Sequence, residues 1–265
     1  DISDFWDTMG IDKSNFYENV LAKSYIDDAL YGVPMQYNVQ YLYYNKDLFT
    51  EAGLDPENPP TTLDELREAA IACTDPSKNQ YGLGLPTDYG YYCEYLWANG
   101  GDVINEDATQ NLLNSEENIA TLERFVQANN EVMPKAIWAG GTTDNPVEYF
   151  KNGDAAILLS GSWNYNTFTN EISKFDFGVM PSPKGSECQS SIIGGAALAI
   201  PQNGKNSELA KQFVQWLFEE EHYKEYLQLH KGLSVMNDVA YEPETDKAKE
   251  DFALMQGETA YVTDT

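Results

Sequence analysis

The stretch VPMQYNVQYLYYNKDLF, residues 33–49, places Tyr41, Tyr43 and Tyr44 around one leucine inside a strand-sized run. Its aromatic and apolar density predicts a strand. Asn45-Lys46 predicts the turn that ends it, and DLFTEAG a short helix closed by Gly53. Strand alternation puts Tyr37, Val39, Tyr41 and Tyr43 on one face and Asn38, Gln40, Leu42 and Tyr44 on the other. Such a strand, entered through Gly-Val-Pro, is either half-buried in one sheet or passes between two lobes. In the second case it carries polar and aromatic side chains across a cleft, where ligands bind.

The sequence on either side alternates helix and strand patterns. TTLDELREAAIAC, residues 61–73, predicts a helix capped by Thr61 or Thr62, with acids in its first turn and a stripe of Leu63, Leu66, Ala70 and Cys73. YGLGLP predicts a short strand, GYYCEYLWANGGD a helix stopped at Gly100-Gly101, and SEENIATLERFVQANNEV a helix starting at Ser115. EYFKNGDAAILLSG reads as a helix end, a turn at Asn152-Gly153 and a buried strand, Ala155 to Leu159. This order is α/β and favours helices packed on a mostly parallel sheet.

Composition excludes several classes of partner. With 43 acids against 16 bases the chain carries a net charge of −27, a field that repels phosphate backbones and anionic lipid, so nucleic acid is not an expected partner. A phosphorylated ligand needs a dedicated cationic pocket, and the sequence has only two arginines, Arg67 and Arg124. Cys73, Cys93 and Cys188 are too few and too widely spaced for a metal cluster or a disulfide framework and read as free thiols, with Cys73–Cys93 the one pairing to consider. No apolar run reaches the roughly 20 residues of a membrane span. His222 and His230 lie eight apart without a nucleophile motif and read as solvated helix residues. Nothing in the sequence calls for a metal or cofactor.

Taken together, YGVPMQYNVQYLYYNKDLFTEAGLDPENPPTTLDEL (31–66), FKNGDAAILLSGSW (150–163) and GGAALAIPQNGKNSELAKQFVQWLFEEEHYKEYLQLHKGLSVMNDV (194–239) resemble the extracellular solute-binding proteins of carbohydrate ABC importers, the maltodextrin-binding-like class. The likeness runs from about Ala29 to Asp238, with Leu63 where the family often has Trp and Ser234 where proline is common. It implies a two-lobe periplasmic-binding-protein-like fold joined by hinge crossings near Gln36 to Val39 and Ile193 to Ala196. It also implies that this chain is a fragment, with lobe one incomplete. Residues 1–37 would be partial lobe one leading to the hinge, 38–192 lobe two, 193–235 the return crossing and lobe-one helices, and 236–265 a truncated return toward lobe two. The resemblance implies a receptor rather than an enzyme. It would be a monomer that binds a sugar or oligosaccharide and delivers it to permease subunits, exported to the cell surface as a tethered lipoprotein or to the periplasm.

A sugar receptor needs aromatic platforms for C–H faces and planar polar groups for hydroxyl edges. Trp163 is the leading candidate, because Ser160-Gly161-Ser162 ends a buried strand and presents the next residue at the strand's carboxyl end, where open α/β sheets bind ligands. Asp88, Tyr89 and Tyr91 follow YGLGLP in the same kind of position, which the resemblance makes a cleft wall. By the same resemblance Tyr37 and Asn38 fall on the hinge strand, and Gly194-Gly195 on the returning crossing, where small residues admit a close approach. Trp138, in a glycine-rich loop, is a rim platform only as the weaker of its two readings and is not counted among the site residues, and Trp97 reads as core. The stripe Leu209, Phe213, Trp216, Leu217 and Tyr226 reads as a helix core face. The enzymatic alternative is a glycoside hydrolase, whose carboxylate pair cannot be singled out among so many acids.

Overall fold

A computed structural model describes residues 1–8, 10–86, 89–134, 137 and 144–257. These residues form two compact units, one of Asp1–Asn38 with Ile193–Lys249, the other of Val39–Ile192 with the segment from Glu250 onward. The first unit begins with α1 (Ser3–Thr8), α2 (Glu18–Ala22), β1 (Tyr25–Ile26), β2 (Ala29–Leu30) and the start of β3 (Val33–Asn45). The second contains the rest of β3, then α3 (Lys46–Glu51), α4 (Leu63–Ala72), β4 (Tyr81–Gly84), α5 (Tyr89–Ala98), α6 (Glu116–Val132), α7 (Asp144–Asn152), β5 (Ala155–Gly161), α8 (Tyr165–Glu171) and β6 (Phe177–Met180). The first unit resumes with β7 (Ile193–Leu198), α9 (Ser207–Leu217) and α10 (Glu220–His230), and α11 (Asp246–Gly257) follows.

Local signals set the element boundaries. The Asn45 side chain ends β3 by accepting from the backbone N–H groups of Asp47 and Leu48 at 3.0 and 3.1 Å, which starts α3. Thr62 and Glu65 form a capping box at α4, and Ser115 caps α6. Gly153, at φ +83°, takes the left-handed turn between α7 and β5.

In the second unit the strands run in the order β4-β5-β3-β6. β4 pairs parallel with β5, but β3 runs antiparallel to both β5 and β6, so the sheet is mixed and the expectation of a mostly parallel sheet is corrected. The exception is β3, which enters the unit from the other one and lies between β5 and β6, running against both.

Both faces of this sheet are covered, which answers the question posed by the tyrosine run. Leu42 and Tyr44 face a cluster with Ile157, Leu159, Met180, Leu83, Ala70 and Phe125, built from the sheet and from α4 and α6. On the opposite face Tyr43 packs edge-on against Phe168 at 4.7 Å, and Phe150 lies 5.4 Å from Phe168. The Tyr43 hydroxyl donates to the Gly161 carbonyl at 2.9 Å and lies 3.0 Å from the Tyr41 hydroxyl. Tyr165 donates to Asp251 at 2.8 Å. Burial of each large ring contributes about 1.5–3 kcal/mol, and the hydroxyls are paired rather than stranded.

In the first unit β7 pairs with β3. Its aromatic core links Trp6 to Phe16, Phe16 to Phe218 and Phe218 to Tyr223, at centroid spacings of 5.1, 5.8 and 5.1 Å. The Tyr223 hydroxyl donates to the Met35 carbonyl at 3.0 Å and accepts from the Val235 N–H at 3.1 Å. The α9 stripe meets expectation only in part: Leu217 is buried as expected, but Leu209, Phe213 and Trp216 are 64, 51 and 47% exposed, and Val214 is the second buried residue. The two stripes are one residue, or about 100°, apart on the helix, and the helix turns the less bulky one inward. His222 and His230 are half-buried rather than solvated, lying against Trp216 and Tyr226. Trp97 is half-buried and donates to Asp102 at 3.1 Å.

The three cysteines are free thiols, with Cys73 and Cys93 buried and Cys188 partly exposed. Burial pushes the Cys73 thiol up to about 12, so almost none of it is thiolate at pH 8. A thiol reagent at pH 8 should therefore label Cys188 first, and Cys73 and Cys93 only as fast as the unit opens. Stoichiometric labelling of Cys73 in the folded protein, read by peptide mass, would contradict this packing.

Candidate functional site

The sequence-predicted residues fall into separate places. In the second unit, β5 ends at Gly161 and the next turn, Ser162–Asn164, presents Trp163 at 39% exposure. Its indole lies across the Gly161 backbone. A Cβ built on Gly161 would meet Cζ3, Cη2 and Cε3 of the six-membered ring at 2.1, 2.5 and 2.6 Å. Gly161 is extended, with φ −158°, so glycine serves here to admit the ring and not for backbone freedom.

Gly161 pairs across the ladder with Gln40 on β3. Directly opposed residues in an antiparallel pair project to the same side with Cβ atoms about 4.5–5.5 Å apart. Because the indole fills the position of the missing Gly161 Cβ, the Gln40 side chain stands beside it on the same face. Gln40 is 8% exposed, and its Oε1 has no hydrogen-bond partner among the described residues. Its backbone is fixed on both sides: the N–H donates to the Ile192 carbonyl at 3.1 Å, and the carbonyl accepts from Ser191 Oγ at 2.7 Å. Asn164 is held by donation from Nδ2 to Ser160 Oγ at 2.7 Å. An aromatic face beside an amide acceptor suits a ligand that presents C–H groups on one side and hydroxyl donors at its edge.

Gln40 was not singled out from sequence. The available signal was its place on the polar side of the β3 alternation, level with the end of β5, but register between strands is not readable from one chain.

The other predicted residues sit as follows. Tyr89 opens α5 at 60% exposure, and its hydroxyl is bonded to the Cys93 thiol, which together with desolvation raises it to about 12. Tyr91 is half-buried and packs against the core cluster beneath α5. Asp88 and Trp138 lie outside the described residues. In the first unit Tyr37 is 3% exposed, with Tyr17 edge-on at 6.0 Å, and its hydroxyl is pushed well up by burial. Asn38 follows it, half-buried. Gly195 lies against β3, where a Cβ would come within 2.5 Å of the Gln36 carbonyl oxygen and 3.1 Å of the Tyr37 Cα, whereas a Cβ on Gly194 would meet open space. The structure thus brings Trp163 together with Gln40, and Gly195 with Tyr37. Among the described residues no group of three or more His, Cys, Asp or Glu side chains is placed to hold a metal ion. No described helix is long and apolar enough to cross a membrane.

Residues 1–256 match the family of bacterial extracellular solute-binding proteins. The chain belongs to that family. It is 27% identical over 235 residues to the galactooligosaccharide-binding protein of Bacillus subtilis, covering 84% of this chain and 53% of that protein. It is 30% identical over 254 residues to the sn-glycerol-3-phosphate-binding periplasmic protein of Pectobacterium atrosepticum, covering 86% of this chain and 55% of that one. This solute-binding chain therefore spans little more than half the length of these two relatives. Among solved structures, maltose-bound MalE3 of T. maritima superposes with a TM-score of 0.84 at 22% identity, over 99% of this chain and 68% of that one. An ABC substrate-binding protein of Listeria monocytogenes in complex with cycloalternan superposes with a TM-score of 0.83 at 20% identity, over 99% and 68%. These two likenesses show the fold: α/β, of the two-lobe solute-binding kind. The family consists of binding proteins and not enzymes, which leaves the glycoside hydrolase alternative without support.

Proposed function

We propose that the protein is an extracellular receptor that captures a sugar or oligosaccharide and delivers it to the permease of an ABC importer. The observation that carries this reading is the Trp163 indole seated on Gly161 beside the Gln40 amide, a platform and an acceptor on one rigid strand pair. The family and the galactooligosaccharide-binding relative support the same class of ligand. In this reading residues 38–192 are lobe two, residues 1–37 and 193–235 belong to lobe one, and residues 236–265 lead back toward lobe two. The crossings near Gln36 to Val39 and Ile193 to Ala196 act as hinges that close on the ligand. Asp88, Tyr89, Tyr91, Tyr37, Asn38, Gly194 and Gly195 belong to this reading as further ligand contacts. Action as a monomer, and tethering as a lipoprotein where the cell has no periplasm, are parts of the same proposal.

The glycerol-phosphate relative defines the competing ligand class. A phosphate needs cationic donors, and the residues placed against the Trp163 indole, Gly161 and its ladder partner Gln40, are uncharged. Isothermal titration of the full-length protein against an oligosaccharide panel and sn-glycerol-3-phosphate should give saturable sugar binding without turnover. Tight binding of the phosphate with none of the sugars, or release of reducing ends, would overturn the reading.

A further inference from the structure

The second unit contains a cavity of about 320 Å³ between α4, α5, α6 and the sheet face that carries Leu42 and Leu159. It is roughly twice the ~150 Å³ that holds one benzene, and so has room for about a dozen ligand heavy atoms. Its floor is apolar and aromatic, with Leu83, Leu85, Tyr95 and Phe125 among its walls.

Two features separate it from a packing defect. Asn129 and Ser190, 4% and 1% exposed, both line it, and Asn129 Nδ2 and Ser190 Oγ are buried without a hydrogen-bond partner among the described residues. A buried donor left without an acceptor is costly, and two of them in one apolar cavity mark a place for a polar ligand atom. The second feature is charge. The lining carries the only two arginines in a chain of net charge −27, together with the carboxylates Asp64 and Glu94, the second of which accepts from Ser182. Arg67 is paired with Glu131 at 3.3 Å, whereas Arg124 is exposed and has no ion pair among the described residues.

Arg124 and Asn129 both line the cavity and stand five residues apart on α6, a rise of about 7.5 Å along the axis and about 140° around it. A ligand that meets both has an anionic end and, across an apolar body longer than that rise, a hydroxyl. That hydroxyl would accept from both Asn129 Nδ2 and Ser190 Oγ. We propose that this cavity is a second ligand site, distinct from the Trp163 platform, that takes a small hydroxyaryl carboxylate.

The test is isothermal titration of the full-length protein with para-hydroxyphenylpropionate. Phenylpropionate, which lacks the hydroxyl, and para-ethylphenol, which lacks the carboxylate, are the comparison probes. The hydroxy acid should bind saturably with a Kd below about 1 mM, and phenylpropionate at least about tenfold more weakly, because a site built to hydrogen-bond a hydroxyl rejects the analogue without it. Arg124→Ala, at an exposed position, should weaken the hydroxy acid about tenfold and leave para-ethylphenol and any sugar affinity unchanged. Leu66→Trp, which fills the cavity from α4, should abolish binding of all three probes, while Trp163→Ala should leave them unaffected. Absence of saturable binding by the folded wild-type protein would overturn the proposal. So would binding indifferent to both Arg124→Ala and Leu66→Trp, or lost in Trp163→Ala. A failure of the sugar reading shows in the oligosaccharide titrations and leaves these outcomes untouched.

Discussion

Gly82→Ala is expected to lower the melting temperature of the second unit by roughly 6–12 °C, the equivalent of about 3 kcal/mol for a unit of this size. Gly82 sits in β4, and a Cβ there would lie 1.8 Å from the Ala70 carbonyl oxygen, 2.4 Å from its carbonyl carbon and 2.6 Å from its Cα. All three are backbone atoms of α4, so no side chain can swing aside. The same spot holds a relay, in which the Gly82 N–H donates to Thr74 Oγ1 at 2.9 Å and that hydroxyl donates to the Ala70 carbonyl at 2.7 Å. Making room for a methyl group separates the helix from the strand and breaks both bonds. Gly194→Ala is the control, because a Cβ there meets nothing within 4 Å. Thermal unfolding followed by circular dichroism decides, and a Gly82→Ala melting temperature within about 2 °C of wild type would show that α4 and β4 do not meet this closely at Gly82.

Gly82 also shows what one sequence conveys. YGLGLP signals a short strand with glycines, and local patterns of that kind were readable almost throughout: the caps at Thr62 and Ser115, the turn at Gly153, and the span of β3 up to Asn45. These depend on neighbours three or four residues away, and the chain prints those neighbours in order. Which backbone each glycine lies against depends on partners far along the chain. The antiparallel sense of β3 against β5, the pairing of Gln40 with Gly161 and the inward turn of Val214 in place of Phe213 are all of this second kind. Trp163 was legible as a strand-end residue. The seat beneath it and the amide beside it were not, since both follow from strand register.

For Trp163→Ala the expected result is a fall in sugar affinity of about tenfold to a hundredfold, the roughly 1–3 kcal/mol carried by an aromatic platform at a binding site. Stability should change far less, because the indole is 39% exposed and rests on a glycine rather than in a packed core. Trp216 is unsuitable as the core comparison because it is 47% exposed; Trp6, at 1%, is the proper one, and its truncation should cost about 3–5 kcal/mol. Gly161→Ala tests the geometry without deleting the ring. Its methyl group would lie 2.1 Å from Cζ3, so the indole must leave its seat, and affinity should fall to a similar degree although the tryptophan is still present. Tyr43→Phe, by contrast, removes a buried hydroxyl bonded to the Gly161 carbonyl and should affect mainly stability. Titration and thermal melts on the same preparations separate these outcomes. If Trp163→Ala melts like Trp6→Ala while affinity per folded molecule is unchanged, the indole belongs to the core and the sugar site lies elsewhere on the protein.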